Sequence, residues 1–108
     1  MDVKPRNVLI YMTADGKCPF EEWLNNLRDV RGRALIRKRI NRIRIGNLGK
    51  NRSLGDGVSE LKIDFGPGYR IYYGEDGACV VVLLCGGDKG SQEKDIDRAK
   101  EFWSDYFA

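Results

Sequence analysis

The apolar run CVVVLLC, from Cys79 to Cys85, constrains the fold more than any other stretch of this sequence. Its three consecutive valines favour a β-strand, and the lack of any polar residue predicts that both faces of this strand are covered. A strand of this kind lies inside a sheet that has packing partners on both sides. We therefore expect a mixed α and β protein that is built around this run.

Two shorter strands precede the run and complete a predicted meander of three strands. Apolar and polar residues alternate in Val58–Phe65, which predicts one buried and one polar face. The turn FGPGY leads to a strand at Tyr69–Tyr73, and a second turn, GEDGA, leads into the apolar run. The polar face of this meander is predicted to gather Glu60, Lys62, Asp64, Arg70 and Tyr72, with Asp88 and Lys89 where the last strand ends.

The rest of the chain predicts one more strand and three helices. In chain order, a strand at Asn7–Thr13 is followed by a helix from Pro19, whose apolar stripe consists of Phe20, Trp23, Leu24, Leu27 and Val30. A break at Gly32 separates this helix from a second one at Arg33–Ile45. A loop at Gly46–Gly57 leads into the meander, and the last helix runs from Gln92 to Tyr106. We predict one α+β domain over residues 1–108, in the order β-α-α-β-β-β-α. A helical hairpin should pack on one face of a small, mostly antiparallel four-stranded sheet, with a C-terminal helix. The other face should stay partly open around Arg70.

Positive charge is concentrated in the first half of the chain. Residues 1–57 carry 13 Lys and Arg against 6 Asp and Glu, although the net charge of the whole chain is only +3. A basic field of this kind favours a phosphate backbone or an acidic partner. The alternative is an ordinary solvated helix face.

Several classes of site and location are disfavoured by composition. The chain has no histidine, which removes the commonest general base, and its three cysteines have no metal-ligand spacing. Cys79 and Cys85 are too far apart on one strand for a disulfide, so the cysteines are expected to be buried apolar residues. We expect no metal and no cofactor. The sequence shows no signal peptide and no transmembrane run, which predicts a cytoplasmic protein.

The strings GDGVSELKIDFGPGYRIYYG and VVVLLCGGDKGSQEKDIDRAKEFW, together with PFEEWLNNL and RIRIGNLG, resemble the RelE/ParE superfamily of toxins. The similarity spans nearly the whole chain and is strongest to the HigB-like, phage-derived addiction module killer branch. It implies the toxin of a type II toxin–antitoxin module, which cuts mRNA on the ribosome without a metal. The implied partners are mRNA, the ribosome with its rRNA, and a cognate helix-turn-helix antitoxin.

The resemblance also implies which residues carry the activity. The basic positions of the cleaving members correspond to Lys62, Arg70 and Lys89, and Glu60 is the obvious carboxylate beside them. No tyrosine stands where RelE-type members have their catalytic one, and Asp95 is nearest to that position. The predicted catalytic residues are thus Arg70, Lys89, Lys62 and Glu60, and the predicted RNA-binding residues are Arg37, Arg39, Arg42, Tyr72 and Arg52.

Two other functions remain open at the level of sequence. The chain could be a non-enzymatic, ParE-like toxin that binds DNA gyrase through its helical hairpin. It could also be an inactive prophage remnant that binds its antitoxin and nothing else. For Arg70 the alternative role is an ion pair with Glu60 or Asp64 on the neighbouring strand. Tyr72 could stack on a base, donate a proton, or be a half-buried strand residue.

Overall fold

A computed structural model describes residues 4–108 as an α+β domain. Its elements are β1 Asn7–Ile10, α1 Pro19–Asn26, α2 Val30–Arg44, β2 Asn51–Gly55, β3 Val58–Ile63, β4 Tyr69–Asp76, β5 Val80–Gly87, a 3₁₀ turn at Lys89–Ser91, and α3 Gln92–Tyr106. None of the helices in these residues is long and apolar enough to cross a membrane. The predicted fold class is confirmed, and the first and last helices begin at the predicted residues.

The five strands form one sheet in the order β1-β5-β4-β3-β2. All neighbouring strands are antiparallel except β1 and β5, which run parallel. Strand β5 therefore has a partner on each side, and its residues 81–87 are buried. This confirms that the CVVVLLC run lies inside the sheet, except for Cys79, which precedes β5 and is exposed.

Helices cover the sheet on both faces. The hairpin of α1 and α2 packs on one face, where Phe20 and Ile36 join alternate residues of β3, β4 and β5 such as Leu61 and Ile71. Helix α3 packs on the other face through Ala99 and Trp103, against Tyr72 and Cys85 among others. The face that we expected to stay partly open is thus covered by α3 over much of its area, because α3 has an apolar stripe of its own.

Two glycines in the sheet let tryptophan rings approach the backbone closely. A Cβ atom at Gly74 would lie 2.6 Å from the ring of Trp103 on α3, and one at Gly86 would lie 2.2 Å from the ring of Trp23 on α1. Real Cβ atoms do not approach other atoms this closely, so any side chain at these positions would displace the rings. The glycines therefore set how near both helix layers lie to the sheet.

The sheet has a fifth strand where the sequence predicted a loop. Residues Asn51–Gly55 pair antiparallel with β3, and Asp56 and Gly57 both have positive φ, 54° and 82°, at the tight turn between the two strands. The pattern of residues 46–57 has no apolar alternation because β2 is an edge strand whose residues are exposed except for the half-buried Leu54. The Asp-Gly pair of the turn is the signal that identifies this hairpin.

The helical hairpin turns earlier than predicted. Gly32 lies inside the first turn of α2, and Val30 is its exposed first residue rather than part of the α1 stripe. The cap is Asp29, whose side chain accepts a hydrogen bond from the Gly32 N–H at 2.9 Å and another from the Tyr69 hydroxyl at 2.7 Å. These two bonds fix the start of α2 to the start of β4.

The Asp29 contacts should make stability depend on acid pH. The Gly32 N–H and then the Tyr69 hydroxyl lower the pKa of the Asp29 carboxyl below its ordinary value. A lowered folded-state pKa contributes stability above the unfolded-state value, near pH ~4, and that contribution is lost as the pH falls through the folded-state value. In urea unfolding, Asp29→Asn should be less stable than the parent at pH 7, with the difference shrinking below pH ~4. A difference that is constant with pH would contradict this assignment.

Candidate functional site: a cationic groove beside α3

The polar side chains of β3 and β4 lie on the sheet face that α3 covers. Lys62 pairs with Arg70 across the two strands, and Glu60 pairs with Tyr72. Side chains directly opposite each other on antiparallel strands share a face, so all four lie on one side. The predicted meander face is therefore present, and α3 begins beside it at Gln92.

A buried carboxylate organises this face. Arg52 donates to Glu60 Oε1 at 3.2 Å, and Gln92 Nε2 donates to Glu60 Oε2 at 3.1 Å. The Nε of Arg70 lies 3.7 Å from Glu60 Oε2 as an ion pair. The side chains of Glu60 and Arg70 are only 6% and 7% exposed, whereas that of Arg52 is 61% exposed. Glu60 thus pairs with one exposed and one buried arginine.

Arg70 has a second anchor and still reaches two surface depressions. Its Nη1 donates to the Gly68 carbonyl at 2.8 Å. Although most of its side chain is buried, Arg70 lines both a groove of about 310 Å³ and an adjoining pocket of about 400 Å³. The buried guanidinium is therefore rigidly placed between the two depressions. We call the first the cationic groove, lined by Lys62, Asp64, Phe65, Gly66, Pro67, Gly68, Arg70 and Lys89, and the second the Glu60 pocket, lined by Lys50, Asn51, Arg52, Glu60, Lys62, Asp64, Arg70 and Gln92.

These two depressions carry more positive than negative charge. Five cations line them against two carboxylates, and the shared Asp64 is exposed and pairs with Lys62 at 3.2 Å. The negative charge of Glu60 is balanced by Arg52 and Arg70. The remaining positive charge lies on the exposed side chains of Lys50 and Lys89, where an anion could reach it.

A network behind the groove positions Lys89. The side chain of Asp88 accepts from the Gly90 N–H at 2.8 Å, and the Ser91 hydroxyl accepts from the Asp88 N–H and donates to Asp95 Oδ2 at 2.5 Å. Asp95 is buried and also pairs with Arg98 at 3.6 Å. Together these bonds fix the 3₁₀ turn on which Lys89 stands.

Replacing Gly87 should disturb this network. A Cβ at Gly87 would lie 1.8 Å from Asp95 Oδ2, so Gly87→Ala must displace the carboxylate and loosen its bond to Ser91. We expect the free energy of unfolding to fall by about 1–3 kcal/mol, the usual cost of overpacking. Urea unfolding measures this directly. Gly90→Ala is the matched control, because its Cβ would meet only the Asp88 side chain at 3.2 Å, and an equal loss in both variants would contradict the assignment.

The predicted stacking role of Tyr72 is wrong. Its ring has no exposed surface and its hydroxyl is buried without a hydrogen-bond partner among residues 4–108. Burial, reinforced by the nearby charge of Glu60, raises the pKa of Tyr72 well above its ordinary value. The alternation of β4 put this residue on the correct face, but α3 covers that part of the face.

The three cysteines differ in their surroundings. Only Cys85 is the buried apolar residue that we expected, and burial raises the pKa of its thiol to about 12. Cys18 is half-buried and Cys79 is exposed, because β5 begins one residue after Cys79. In the described part of the chain, no group of three or more acidic, histidine or cysteine side chains could hold a metal ion.

The predicted RNA-binding arginines of α2 do not share one face. Arg37 and Arg39 are two residues apart, about 200° around a helix of 3.6 residues per turn. Arg37 lines a separate cleft beside β1, whereas Arg39 donates to the carbonyls of Lys50, at 3.0 Å, and Lys62, at 3.4 Å. Arg42 is exposed. Of these three arginines, only Arg39 adjoins the cationic groove, where its two hydrogen bonds connect α2 to Lys50 and to Lys62 of β3.

Two residues of the site were not predicted from the sequence. Gln92 completes the coordination of Glu60, and Lys50 lines the Glu60 pocket. Gln92 stands at the first position of a helix, where its amide has no periodic signature. Lys50 precedes a strand that the sequence pattern did not reveal. Both could be identified only once β2 and the start of α3 were placed beside β3.

Fold and site together define an α+β protein whose sheet has a cationic groove next to its C-terminal helix. No family model matches the chain. An uncharacterized protein of Haemophilus influenzae is 48% identical over 81 residues, which cover 75% of this chain and 82% of that protein. The chain belongs to the same family as this Haemophilus influenzae protein.

Proposed function

We propose that this protein is the toxin of a type II toxin–antitoxin module of RelE/ParE type, and that it cleaves mRNA on the ribosome without a metal. One observation carries the proposal: Lys62, Arg70 and Lys89 line a single groove, although they come from two strands and a turn. These are the three basic positions that the resemblance assigns to cleavage. Cations gathered in this way favour the phosphate backbone of RNA.

The groove chemistry follows from the needs of phosphodiester cleavage. A 2′-hydroxyl must lose a proton and attack the adjacent phosphate, whose developing charge needs cationic stabilisation, and the leaving 5′-oxygen needs a proton. Arg70 is rigid and always charged, so its role is to bind the reacting phosphate. Lys62 and Lys89 would flank that phosphate, and they line the groove together with the exposed carboxylate of Asp64.

Glu60 acts in this proposal by holding Arg70 rather than by moving a proton. Its carboxylate already accepts from Arg52 and Gln92 and pairs with Arg70, and its side chain is only 6% exposed. With two hydrogen-bond donors and an ion pair around it, this carboxylate serves to position Arg70. Part of the remaining positioning would come from the ribosome, since orienting the reactants alone lowers the barrier.

The partners in this proposal are mRNA, rRNA and a co-encoded helix-turn-helix antitoxin, all in the cytoplasm. Controlled expression of the chain, with mapping of mRNA 5′ ends, tests the activity. We expect growth arrest and new 5′ ends within translated regions, both suppressed by the product of the adjacent open reading frame. Growth arrest with unchanged 5′ ends would contradict cleavage, and no arrest at all would contradict a toxin.

The exposed arginines of α2 should contribute to ribosome binding. Arg42→Glu is expected to weaken co-sedimentation with ribosomes, more steeply at raised salt, and to lower the salt dependence by about one released counterion. Lys100→Glu on α3 is the matched control, because it makes the same charge change where Lys100 pairs with Asp56, at the β2–β3 turn. Equal co-sedimentation of Arg42→Glu and the parent would remove α2 from the interface.

A non-enzymatic toxin that binds gyrase or another protein is the second candidate. The observation that favours it is the exposed apolar surface of the hairpin, where Val30 and Ile45 at the two ends of α2 are each 65% exposed. A cleft of about 420 Å³ also opens between this hairpin and β1. Toxicity that persists when Lys62, Arg70 and Lys89 are replaced would favour this candidate.

A further inference from the structure

We propose that the Glu60 pocket binds a guanine base of the transcript, next to the phosphate held by Arg70. This inference rests on the proposed function, because it names the nucleotide that occupies the neighbouring site. It begins from the position of one carboxylate. Glu60 lines an open pocket with Arg52 and Gln92, yet its own side chain is more than nine-tenths buried.

The partners of the Glu60 carboxylate differ in how exposed they are. Oε2 accepts from Gln92 at 3.1 Å and from Arg52 at 3.4 Å, and it lies 3.7 Å from the buried Arg70. Oε1 has its closest contact, at 3.2 Å, with Arg52, whose side chain is mostly in solvent. Arg52 is the exposed partner of this pair, so it is the one that an incoming base would displace. The carboxylate can therefore be uncovered while Gln92 and Arg70 keep its orientation.

A fixed carboxylate of this kind matches guanine better than adenine or cytosine, and better than uracil, whose single ring N–H lies between two carbonyl acceptors. The Watson–Crick edge of guanine presents two adjacent donors, N1–H and the N2 amino group, to the two oxygens of a carboxylate. Adenine and cytosine each present one amino donor beside a ring nitrogen acceptor, which would face the second oxygen and be repelled. Arg52, once displaced from Oε1, can donate to guanine O6. The pocket thus offers a complete set of partners for guanine.

The location of the pocket agrees with a base that is attached to the reacting strand. It shares Lys62, Asp64 and Arg70 with the cationic groove, so a nucleotide can place its phosphate at Arg70 and its base over Glu60. Its volume of about 400 Å³ is large enough for a purine. Single-stranded RNA is commonly read in this way, by hydrogen bonds to the Watson–Crick edges of unstacked bases.

Nucleotide titration of the purified full chain tests the pocket directly. The probes are guanosine, adenosine and cytidine 5′-monophosphates, which carry the same phosphate, and the measurement is the change in backbone amide NMR shifts. We expect guanosine monophosphate to bind about tenfold more tightly than the other two, with shifts concentrated at residues 50–52, 60 and 92. Equal affinity for all three nucleotides would overturn the inference.

Two variants separate base recognition from phosphate binding. Glu60→Gln replaces two acceptors by one donor and one acceptor, which is the pattern that complements adenine and cytosine, so the preference should move from guanosine to adenosine and cytidine monophosphates. A variant that merely unfolds cannot gain such a preference, and its thermal unfolding is measured alongside. Lys62→Ala should weaken all three nucleotides by the same factor. An unchanged preference in Glu60→Gln would also overturn the inference.

The nucleotide titration and the cleavage experiment can fail independently of each other, so the two proposals are tested separately. Selective guanosine monophosphate binding by a chain that cuts no mRNA would support the pocket and contradict the proposed function. Cleavage of transcripts with no guanosine preference in the titration would support the proposed function and contradict the pocket.

Discussion

Replacing Arg70 by alanine is expected to lower transcript cleavage by about 10²–10³-fold and to abolish growth arrest, because the phosphate loses its one rigid cation. Glu60 keeps its bonds to Arg52 and Gln92 in this variant, so the carboxylate is not left without partners. We therefore expect the fold and antitoxin binding to survive. The measurements are mapped mRNA 5′ ends, growth after induction, and urea unfolding of the purified variant.

Arg70→Lys is the control for charge alone. Lysine keeps a positive charge at the base of the groove but cannot offer two parallel N–H donors to one phosphate. We expect it to preserve stability better than alanine while recovering only a small part of the cleavage rate. Full activity in either variant would remove Arg70 from the mechanism and leave its ion pair with Glu60 as a purely structural contact.

Replacing Ile36 by alanine should produce a large loss of stability. The side chain of Ile36 is 0% exposed and belongs to the core between α2 and the sheet. Truncation removes buried methyl groups and leaves a cavity, which typically costs about 2–5 kcal/mol of unfolding free energy. Urea denaturation followed by circular dichroism measures that loss.

Leu35→Ala is the matched control, one residue earlier on the same helix. Leu35 is 37% exposed, so the same kind of truncation removes much less buried surface. Alanine is also a good helix former, and we expect a change within about 0.5 kcal/mol. Similar losses in the two variants would mean that α2 does not present the Ile36 face to the sheet.

The parts of the fold that follow from periodicity were predictable from the sequence. The alternation of Leu61 and Ile63 with Glu60 and Lys62 assigned the two faces of β3, and the sheet places them accordingly. The unbroken apolar run predicted an interior strand because residues covered on both faces need no alternation. The final helix followed from apolar residues at helical spacing such as Ala99 and Trp103.

The parts that were missed depend on contacts between distant segments. Strand β2 has little apolar alternation because it lies at the exposed edge, and only its register with β3 defines it. Tyr72 is covered because α3 packs over it, which the pattern of β4 alone does not encode. The coordination of Glu60 joins residues 8 and 32 positions away in the chain, Arg52 and Gln92. The sequence pattern identified candidate residues such as Glu60, but not the residues that contact them in the fold.

The parallel pairing of β1 with β5 has a consequence for the order in which the chain folds. Asn7 is partnered with Val80, so the first strand has nowhere to pair until most of the chain exists. The pairings of β2 with β3, β3 with β4 and β4 with β5 each join consecutive strands, and closing these short loops costs less entropy. We therefore expect the strands that form the groove, β3 and β4, to pair early. Strand β1 should join last, at the edge of the sheet beside β5.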